Sequence, residues 1–296
     1  MKKLTNILLF ALVLSAAASC KKETTTTEEA VTNTDTIAKK ETHKIVSLNS
    51  AITEIVAALG HEGEIVGVDV TSTYPENIKT TAKDLGHIRS ISVESIMALQ
   101  PTMVLATEKD LSPELLEKLK AAGTKVHAFA QDYSVEGSKK LIADVAGALE
   151  HANYKALQDK IDTDLKKVQS IATAPKVLFI YARGANMLMV SGTNTPEDKI
   201  IALSGGKNAV TGFEDFKPLT PEALITGNPD VILMYESGIG SVGGPAGVLK
   251  IPGVDKTNAG RNKKIITMDG SLVHSFGPRL GEAAAQLNSL LRENAK

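Results

Sequence analysis

A tyrosine next to a proline has the clearest potential for metal chemistry in this sequence. Tyr74 lies in the stretch VDVTSTYP, residues 68–75, directly after a predicted strand. Side chains at the carboxyl ends of strands face the ligand crevice of an open α/β domain. A tyrosine phenolate is a hard oxygen donor that suits ferric iron, and tyrosine is a known axial ligand of haem iron. Arg89 is the candidate cation that would stabilise the phenolate. The alternative, a loop tyrosine held beside Pro75 for structural reasons, stays open.

A glycine-rich stretch offers a second kind of chemistry. Gly238, Gly240 and Gly243 form a GxGxxG pattern after a predicted strand, which is the setting of a dinucleotide-binding turn. However, Pro245 and the lack of an acidic residue about 20 positions further on favour an ordinary loop at the rim of a cleft. A nucleotide-using enzyme with this loop, residues 238–244, is therefore kept as the alternative from a different functional class.

The other motifs of catalysis are missing from the sequence. None of the 6 histidines lies four residues from another, so the paired histidines of a helical zinc hydrolase are absent. There is also no GxSxG turn for a nucleophilic serine. We therefore predict a binding protein rather than an enzyme.

The overall composition limits the partners. Lys and Arg number 33 against 34 Asp and Glu, a formal net charge of -1, whereas a nucleic-acid-binding protein normally carries a basic excess. Hydrophobic residues make up 43% of the chain, which is enough for a packed core. The single cysteine excludes both an intramolecular disulfide and a zinc–thiolate cluster.

That cysteine follows a targeting pattern. Two lysines precede an apolar stretch that ends in small residues, and Cys20 comes next. The pattern resembles a bacterial lipoprotein signal, so residues 1–19 are predicted to be the signal peptide and Cys20 the lipidated residue. Residues 20–42 are rich in Thr, Glu and Lys and are predicted to form a flexible tether.

Strand and helix patterns alternate along the rest of the chain, which predicts mainly parallel sheets covered by helices. We expect a first α/β lobe over residues 43–149, a long spine helix over 150–173 and a second α/β lobe over 174–296. The strands are predicted at 44–48, 65–68, 103–106, 125–129, 177–181, 231–234 and 264–268. A cleft between two lobes is a common place for a small ligand.

The two lobes also echo each other in sequence. Residues 92–107 and 220–235 each place a glutamate in a first helical turn, a proline seven positions later and then a strand. Glu94 and Glu222 are the corresponding glutamates. Acidic residues favour helix N-termini in any case, but that preference does not explain the repetition.

Six blocks of the sequence resemble the haemin-binding periplasmic proteins of bacterial haem ABC importers, which belong to the helical-spine class of substrate-binding proteins. The similarity covers about residues 44–292. The blocks are IVSLNSAITEIVAALG (45–60), GVDVTSTYP (67–75), LGHIRSISVESIMALQP (85–101), SGGKNAV (204–210), SVGGPAGVLKIPGV (241–254) and SFGPR (275–279).

The resemblance implies two Rossmann-like lobes joined by a stiff spine helix, with haem held in the cleft between them. It implies that Tyr74 is the axial ligand of the iron and that Arg89 lies beside that ligand or a haem propionate. It further implies that Glu94 and Glu222 dock on arginines of the permease dimer.

The sequence also departs from the family in places. Some members add a histidine from the second lobe near the NAV segment, where this chain has none. Coordination by Tyr74 alone is therefore the expectation, with His274 as a candidate second ligand and His87 in a place where a tyrosine is expected. Met187 and Met189 are predicted to line the haem face, or else to belong to the core.

Taken together, these features predict a monomeric, lipid-anchored binding protein that faces the periplasm. It would capture ferric haem and deliver it to a permease dimer with its ATPase. A cobalamin or ferric-siderophore binder of the same fold is the alternative within the class, and a scaffold or adhesion lipoprotein without a small-molecule ligand is a third possibility.

Overall fold

Short β-branched segments of the chain pair into two separate sheets, one in each half of the protein. The computed structural model describes residues 43–294. The predicted signal peptide, the lipidated Cys20 and the predicted tether lie outside the described residues. Within residues 43–294, no helix is both long enough and apolar enough to span a lipid bilayer.

The first sheet is entirely parallel, in the order β3-β2-β1-β4-β5. Its central strands are buried on both faces, as parallel strands between helices must be. The strands are β1 (Ile45–Ser47), β2 (Ile65–Val68), β3 (Lys83–Asp84), β4 (Met103–Thr107) and β5 (Lys125–Phe129). The helices are α1 (Ser50–Val56), α2 (Ile78–Thr81), α3 (Val93–Met97), α4 (Pro113–Ala121) and α5 (Val135–Ala148), with helical turns at Ala57–His61, Glu62–Glu64 and Ile88–Ser90.

The connecting helix, α6, covers Lys155–Leu165 and is shorter than the predicted span of 150–173. Before it, Glu150 takes a left-handed backbone conformation (φ 53°), which separates α5 from α6. After it, the side chain of Asn288 bonds to both the N–H and the carbonyl of Gln169, at 3.0 and 2.8 Å. The backbone of Gln169 thus bonds to a side chain instead of to a helical neighbour. The apolar periodicity of the sequence extends beyond Leu165, but the helix does not.

The second sheet has the order β11-β10-β6-β7-β9, and β8 pairs with β6. The predicted strands β6, β10 and β11 are parallel, as expected, and so is the short β8, which was not predicted. Strand β7 is antiparallel to both β6 and β9. The strands are β6 (Lys176–Ala182), β7 (Leu188–Ser191), β8 (Lys207–Asn208), β9 (Phe216–Pro218), β10 (Val231–Tyr235) and β11 (Ile265–Met268). The helices are α7 (Pro196–Leu203), α8 (Pro221–Gly227), α9 (Glu236–Ser241), α10 (Gly244–Val248), α11 (Asn258–Arg261), α12 (Gly270–His274) and α13 (Leu280–Asn294), with a 3₁₀ turn at Val254–Lys256.

Helix α6 joins the cores of the two lobes. Ile161 is fully buried in the core of the first lobe, and Leu165 packs against the cores of both. The helix crosses α13 at Gly281, where an added Cβ atom would lie 2.5 Å from the carbonyl oxygen of Ile161. Because glycine has no Cβ atom, it allows this close crossing, and the packing of α13 against α6 therefore depends on a glycine at position 281.

The close crossing predicts the effect of a single methyl group. We expect Gly281→Ala to lower the free energy of unfolding by about 1–3 kcal/mol, because the backbone of α6 must move to make room. Gly147→Ala is the matched control in α5, where a Cβ atom meets nothing within 4 Å. That variant is expected to be neutral or up to about 1 kcal/mol more stable. Urea unfolding measures the free energy of unfolding of both variants. Equal values for Gly281→Ala and Gly147→Ala would contradict the close crossing.

Candidate functional site

The loop that carries Tyr74 is fixed by a buried carboxylate. The loop begins at Asp69, directly after β2, and Asp69 is buried. Its Oδ2 atom accepts a hydrogen bond from the N–H of Thr71 at 2.9 Å, and its Oδ1 atom accepts one from the hydroxyl of Ser72 at 2.6 Å. The carboxylate thus closes the turn that leads to Tyr74.

A chain of buried hydroxyl groups then ties the loop to the sheet. The Oγ1 atom of Thr53, on α1, lies 2.8 Å from the hydroxyl of Ser72 and donates to the hydroxyl of Ser47, on β1, over 2.8 Å. All three side chains are buried. The turn is therefore rigid, yet it leaves the side chain of Tyr74 40% exposed at the carboxyl end of β2, as the sequence predicts for a ligand-facing residue.

The cation that lies on the ring of Tyr74 is Arg279, whereas the role of the predicted Arg89 stays a prediction. The guanidinium carbon of Arg279 lies 3.6 Å from the centre of the Tyr74 ring. Arg89 lies exposed on the turn Ile88–Ser90, where its backbone N–H bonds to the side chain of His87. Arg279 is the last residue of the block SFGPR, which resembles the family. The sequence alone could not show that this arginine lies against Tyr74, because the two residues lie far apart in the chain.

Arg279 is held in place by a second buried carboxylate. Its Nε and Nη2 atoms donate to the two oxygens of Glu54, at 2.9 and 2.7 Å, and Nη2 also donates to the hydroxyl of Ser271 at 3.0 Å. Burial by itself would lower the pKa of Arg279, but the hydrogen bonds and charge of Glu54 outweigh it and raise that pKa. A fixed positive charge therefore lies on the ring of Tyr74.

The second lobe presents a buried carboxylate of its own. Glu197, in the first turn of α7, is fully buried, and its Oε1 atom accepts hydrogen bonds from the hydroxyl of Tyr235 and from Nδ1 of His274 at 2.9 Å. Its Oε2 atom has no hydrogen-bond partner among the described residues. Burial and the charge of Glu197 raise the pKa of Tyr235 well above its usual range, so that hydroxyl keeps its proton.

His274 is the open end of this group, with 44% of its side chain exposed. Burial alone would lower the pKa of His274, but the hydrogen bond and charge of Glu197 raise it, and the charges of Asp110 and Asp69 in the first lobe add to that effect. The Nδ1 atom of His274 is engaged by Glu197, so Nε2 is the ring nitrogen left to contact a ligand.

Aromatic rings flank this group at the carboxyl ends of β6 and β10. The ring of Tyr235 lies 4.7 Å from that of Phe179 and 6.2 Å from that of Tyr181, measured between ring centres. On the segment between β5 and α5, Tyr133 packs edge-on against Phe276 at 5.5 Å, and burial first of all raises the pKa of Tyr133 to about 12. Phe179 and Phe276 are fully buried, so only the half-buried Tyr133, Tyr181 and Tyr235 have ring surface left to contact a ligand.

The two predicted methionines lie on the β6–β7 hairpin. Met187 is 51% exposed in its turn, and Met189 pairs with Tyr181 across the two strands. Met189 thus neighbours the aromatic rings, whereas Met187 lies at the tip of the hairpin. The assignment of both residues to the haem face stays a prediction.

The paired glutamates occupy equivalent places in the two lobes. Glu94 and Glu222 are exposed in the first turns of α3 and α8. Each helix begins with the same kind of cap, because the hydroxyls of Ser92 and Thr220 accept hydrogen bonds from the N–H groups three residues later, both at 3.2 Å. The sequence echo thus corresponds to a structural one.

The glycine-rich stretch is not the loop that the sequence suggested. Gly238 and Gly240 lie inside α9, which begins immediately after β10, and Gly243 and Gly244 form the turn to α10 with φ of 86° and 72°. A dinucleotide-binding turn needs its glycines between the strand and the helix, and here no residues separate the two. Among residues 43–294, no three His, Cys, Asp or Glu side chains form a group that could hold a metal ion.

The charges of His274 and Glu197 predict a pH dependence of stability. The raised pKa of His274 means that its contribution is present at low pH and is lost as the pH rises through that pKa. The lowered pKa of Glu197, where His274 and Tyr235 outweigh burial, means that its contribution is lost as the pH falls through that pKa. The stability advantage of the wild type over His274→Gln should therefore be larger at about pH 6 than at about pH 9.

Thermal unfolding across this range measures that advantage. In a Glu197→Gln background the larger advantage at low pH should shrink, because the hydrogen bond and charge that outweigh burial are gone and only the charges of Asp110 and Asp69 still raise the pKa of His274. An undiminished advantage at low pH in that background would contradict the role of Glu197.

The chain is similar to known proteins along most of its length. The family described as periplasmic binding protein matches residues 45–272. An uncharacterized ABC transporter substrate-binding lipoprotein of Bacillus subtilis (strain 168), YvrC, is 32% identical over 266 residues, which are 86% of this chain and 82% of that protein. A vitamin B12-binding protein of Yersinia pestis (strain Pestoides F) is 27% identical over 208 residues, 67% of this chain and 71% of that one.

Solved structures show the same two-lobed fold. The apo form of the periplasmic heme-binding protein RhuT from Roseiflexus sp. RS-1 has a TM-score of 0.82 and 38% identity, covering 86% of this chain and 100% of that one. The periplasmic heme-binding protein BhuT in complex with two hemes has a TM-score of 0.81 and 32% identity, covering 86% and 99%. The predicted fold class is confirmed, and the chain belongs to the periplasmic binding protein family, the substrate-binding proteins of ABC transporters.

Proposed function

We propose that this protein captures ferric haem in its cleft and delivers it to an ABC permease, with Tyr74 as the ligand of the iron. The observation that carries the proposal is the exposed Tyr74 on a rigid loop with the guanidinium of Arg279 on its ring. The guanidinium on its face helps to hold the ring in place, and the oxygen of a tyrosine is a hard donor that suits ferric iron. The similar structures of heme-binding proteins support the same ligand class.

The remaining groups suit the other parts of a haem. The aromatic rings near Tyr181 and Met189 would cover the apolar face of the porphyrin, and burial of that area would supply most of the affinity. His274, whose pKa is raised by Glu197, and the exposed Arg89 would be donors for the two propionates. This assignment leaves Tyr74 as the axial ligand and gives His274 a polar role rather than the second axial position.

Delivery would depend on a lipid anchor and on two surface glutamates. Lipid on Cys20 would hold the protein at a bacterial membrane, facing the periplasm, so that captured haem stays near the permease. Glu94 and Glu222, one on each lobe, would contact basic residues of the permease dimer, whose ATPase drives transport. We expect the binding protein to act as a monomer.

A cobalamin binder is the second candidate, because the Yersinia relatives are vitamin B12-binding proteins. A siderophore binder stays a further possibility within the fold. The arrangement of β10 and α9 gives the nucleotide-using enzyme no comparable support, because no turn is available between the two elements.

An optical titration with ferric haemin tests the ligand and its iron bond together. We expect the full chain to bind haemin with a tyrosinate-to-iron charge-transfer band. Tyr74→Phe should lose that band and weaken binding by at least about 1.4 kcal/mol, a tenfold change in Kd. It keeps the ring beneath Arg279, so only the oxygen is removed. Tyr154→Phe, a half-buried tyrosine at the start of α6, is the control and should behave as the wild type.

The possible outcomes separate the candidates. Haemin binding that survives Tyr74→Phe with its band intact would move the iron ligand elsewhere, and His274→Ala would be measured next. No saturable change in any of the proteins would reject haem, and cobalamin and ferric siderophores would be titrated instead.

Charge reversal tests delivery separately from capture. We expect Glu94→Arg with Glu222→Arg to reduce haem uptake by cells roughly 30-fold or more, because two ionic contacts become repulsive. Haemin affinity of the purified double variant should stay unchanged. Glu117→Arg with Glu293→Arg, two other exposed glutamates, is the control pair. Loss of haemin affinity in the first pair would contradict the division between docking and binding.

A further inference from the structure

Glu54 is a carboxylate that the fold has buried without exposing it to any ligand. It lies on α1, where every residue is buried, and only 3% of it is exposed. A buried carboxylate without a partner is strongly destabilising. Both oxygens of Glu54 are satisfied by Arg279, at 2.9 and 2.7 Å. The pair is thus well matched, but stability alone does not require the arginine to lie on a tyrosine.

The geometry of the pair fixes the guanidinium in two ways. Two parallel hydrogen bonds to Glu54 set the plane of the group, since a planar fork meets a carboxylate edge to edge. The hydrogen bond to Ser271, at 3.0 Å, prevents rotation away from that plane. With the plane fixed, the face of the guanidinium points at the ring of Tyr74, 3.6 Å away.

We infer that Glu54 is a positioning residue for the iron ligand: it acts through Arg279, whose charge it holds on the ring of Tyr74. The inference rests on the proposed function, because it concerns the same tyrosine. Arginine is a long side chain with several rotatable bonds, so without its carboxylate partner the guanidinium would leave the ring for much of the time. The ring of Tyr74 would then lose the cation that lies on its face and helps to fix its position.

The pair also couples the ligand to the contact between the lobes. Among the ion pairs of residues 43–294, Glu54–Arg279 is the one that joins residues of the first lobe to residues of the second. The same segment of the second lobe packs at Gly277 against Ala51 of α1, and Gln131 donates to the carbonyl of Ser275 over 3.0 Å. A movement that separates this segment from α1 would withdraw the cation from Tyr74, so the iron bond would weaken as the lobes part.

Replacement of Glu54 by glutamine tests the inference. Glu54→Gln keeps the shape of the side chain but removes its charge and one acceptor. We expect ferric haemin to leave the variant roughly tenfold faster than the wild type in transfer to an excess of an apo-globin, with a weaker charge-transfer band. In an Arg279→Gln background, Glu54→Gln should add no further effect on the band, because Glu54 acts only through the guanidinium. Glu114→Gln, which removes the partner of Lys118 on the surface, is the control.

Further measurements keep the test independent of haem and of folding. A crystal structure of haem-free Glu54→Gln should show the guanidinium displaced from the ring of Tyr74, and Glu54→Asp, which keeps the charge, should give an intermediate transfer rate if the glutamine variant does not fold. A wild-type band and transfer rate in Glu54→Gln, with Arg279 still on the ring, would overturn the inference. Failure of the wild type to bind haemin would instead reject the proposed function, and the haem-free structure would still decide the position of Arg279.

Discussion

The ion pair between the partly buried Arg279 and the buried Glu54 is the interaction on which the candidate site depends. Arg279 joins α1 of the first lobe to the segment after α12 of the second through Glu54, and it covers the ring of Tyr74. A charge in this position needs a partner, and the two hydrogen bonds of Glu54 provide one. The same contact therefore supports the relation of the lobes and the electrostatic environment of the proposed iron ligand.

The elements of the fold could be predicted from the sequence wherever periodicity is strong. The seven predicted strands have counterparts in the structure, because β-branched runs between helical patterns leave few alternatives. The ends of α6 were predicted incorrectly because they depend on tertiary contacts, namely the bonds of Asn288 to Gln169 and the backbone of Glu150. The antiparallel β7 was missed because its four residues carry no distinctive pattern.

Some residues of the candidate site could likewise be predicted from the sequence, and others could not. Tyr74 could be chosen as a candidate from its place after β2, because the carboxyl edge of a parallel sheet is a general site for ligands. Arg89 was chosen as its cation by nearness in sequence, whereas the guanidinium that lies on the ring belongs to Arg279, which comes from the other lobe. Glu54 and Glu197 gave no signal at all, since a buried carboxylate within a helix has the same sequence appearance as an exposed one.

The central claim is that the oxygen of Tyr74 binds the iron of haem while Arg279 stays on its ring. The most direct measurement is a crystal structure of the full chain with ferric haemin. The account predicts haem between the lobes, a bond from the Tyr74 oxygen to the iron of about 2 Å, as for oxygen ligands of other metals, and the guanidinium still bound by Glu54. Haem held by another residue, with Tyr74 turned away from the iron, would contradict it.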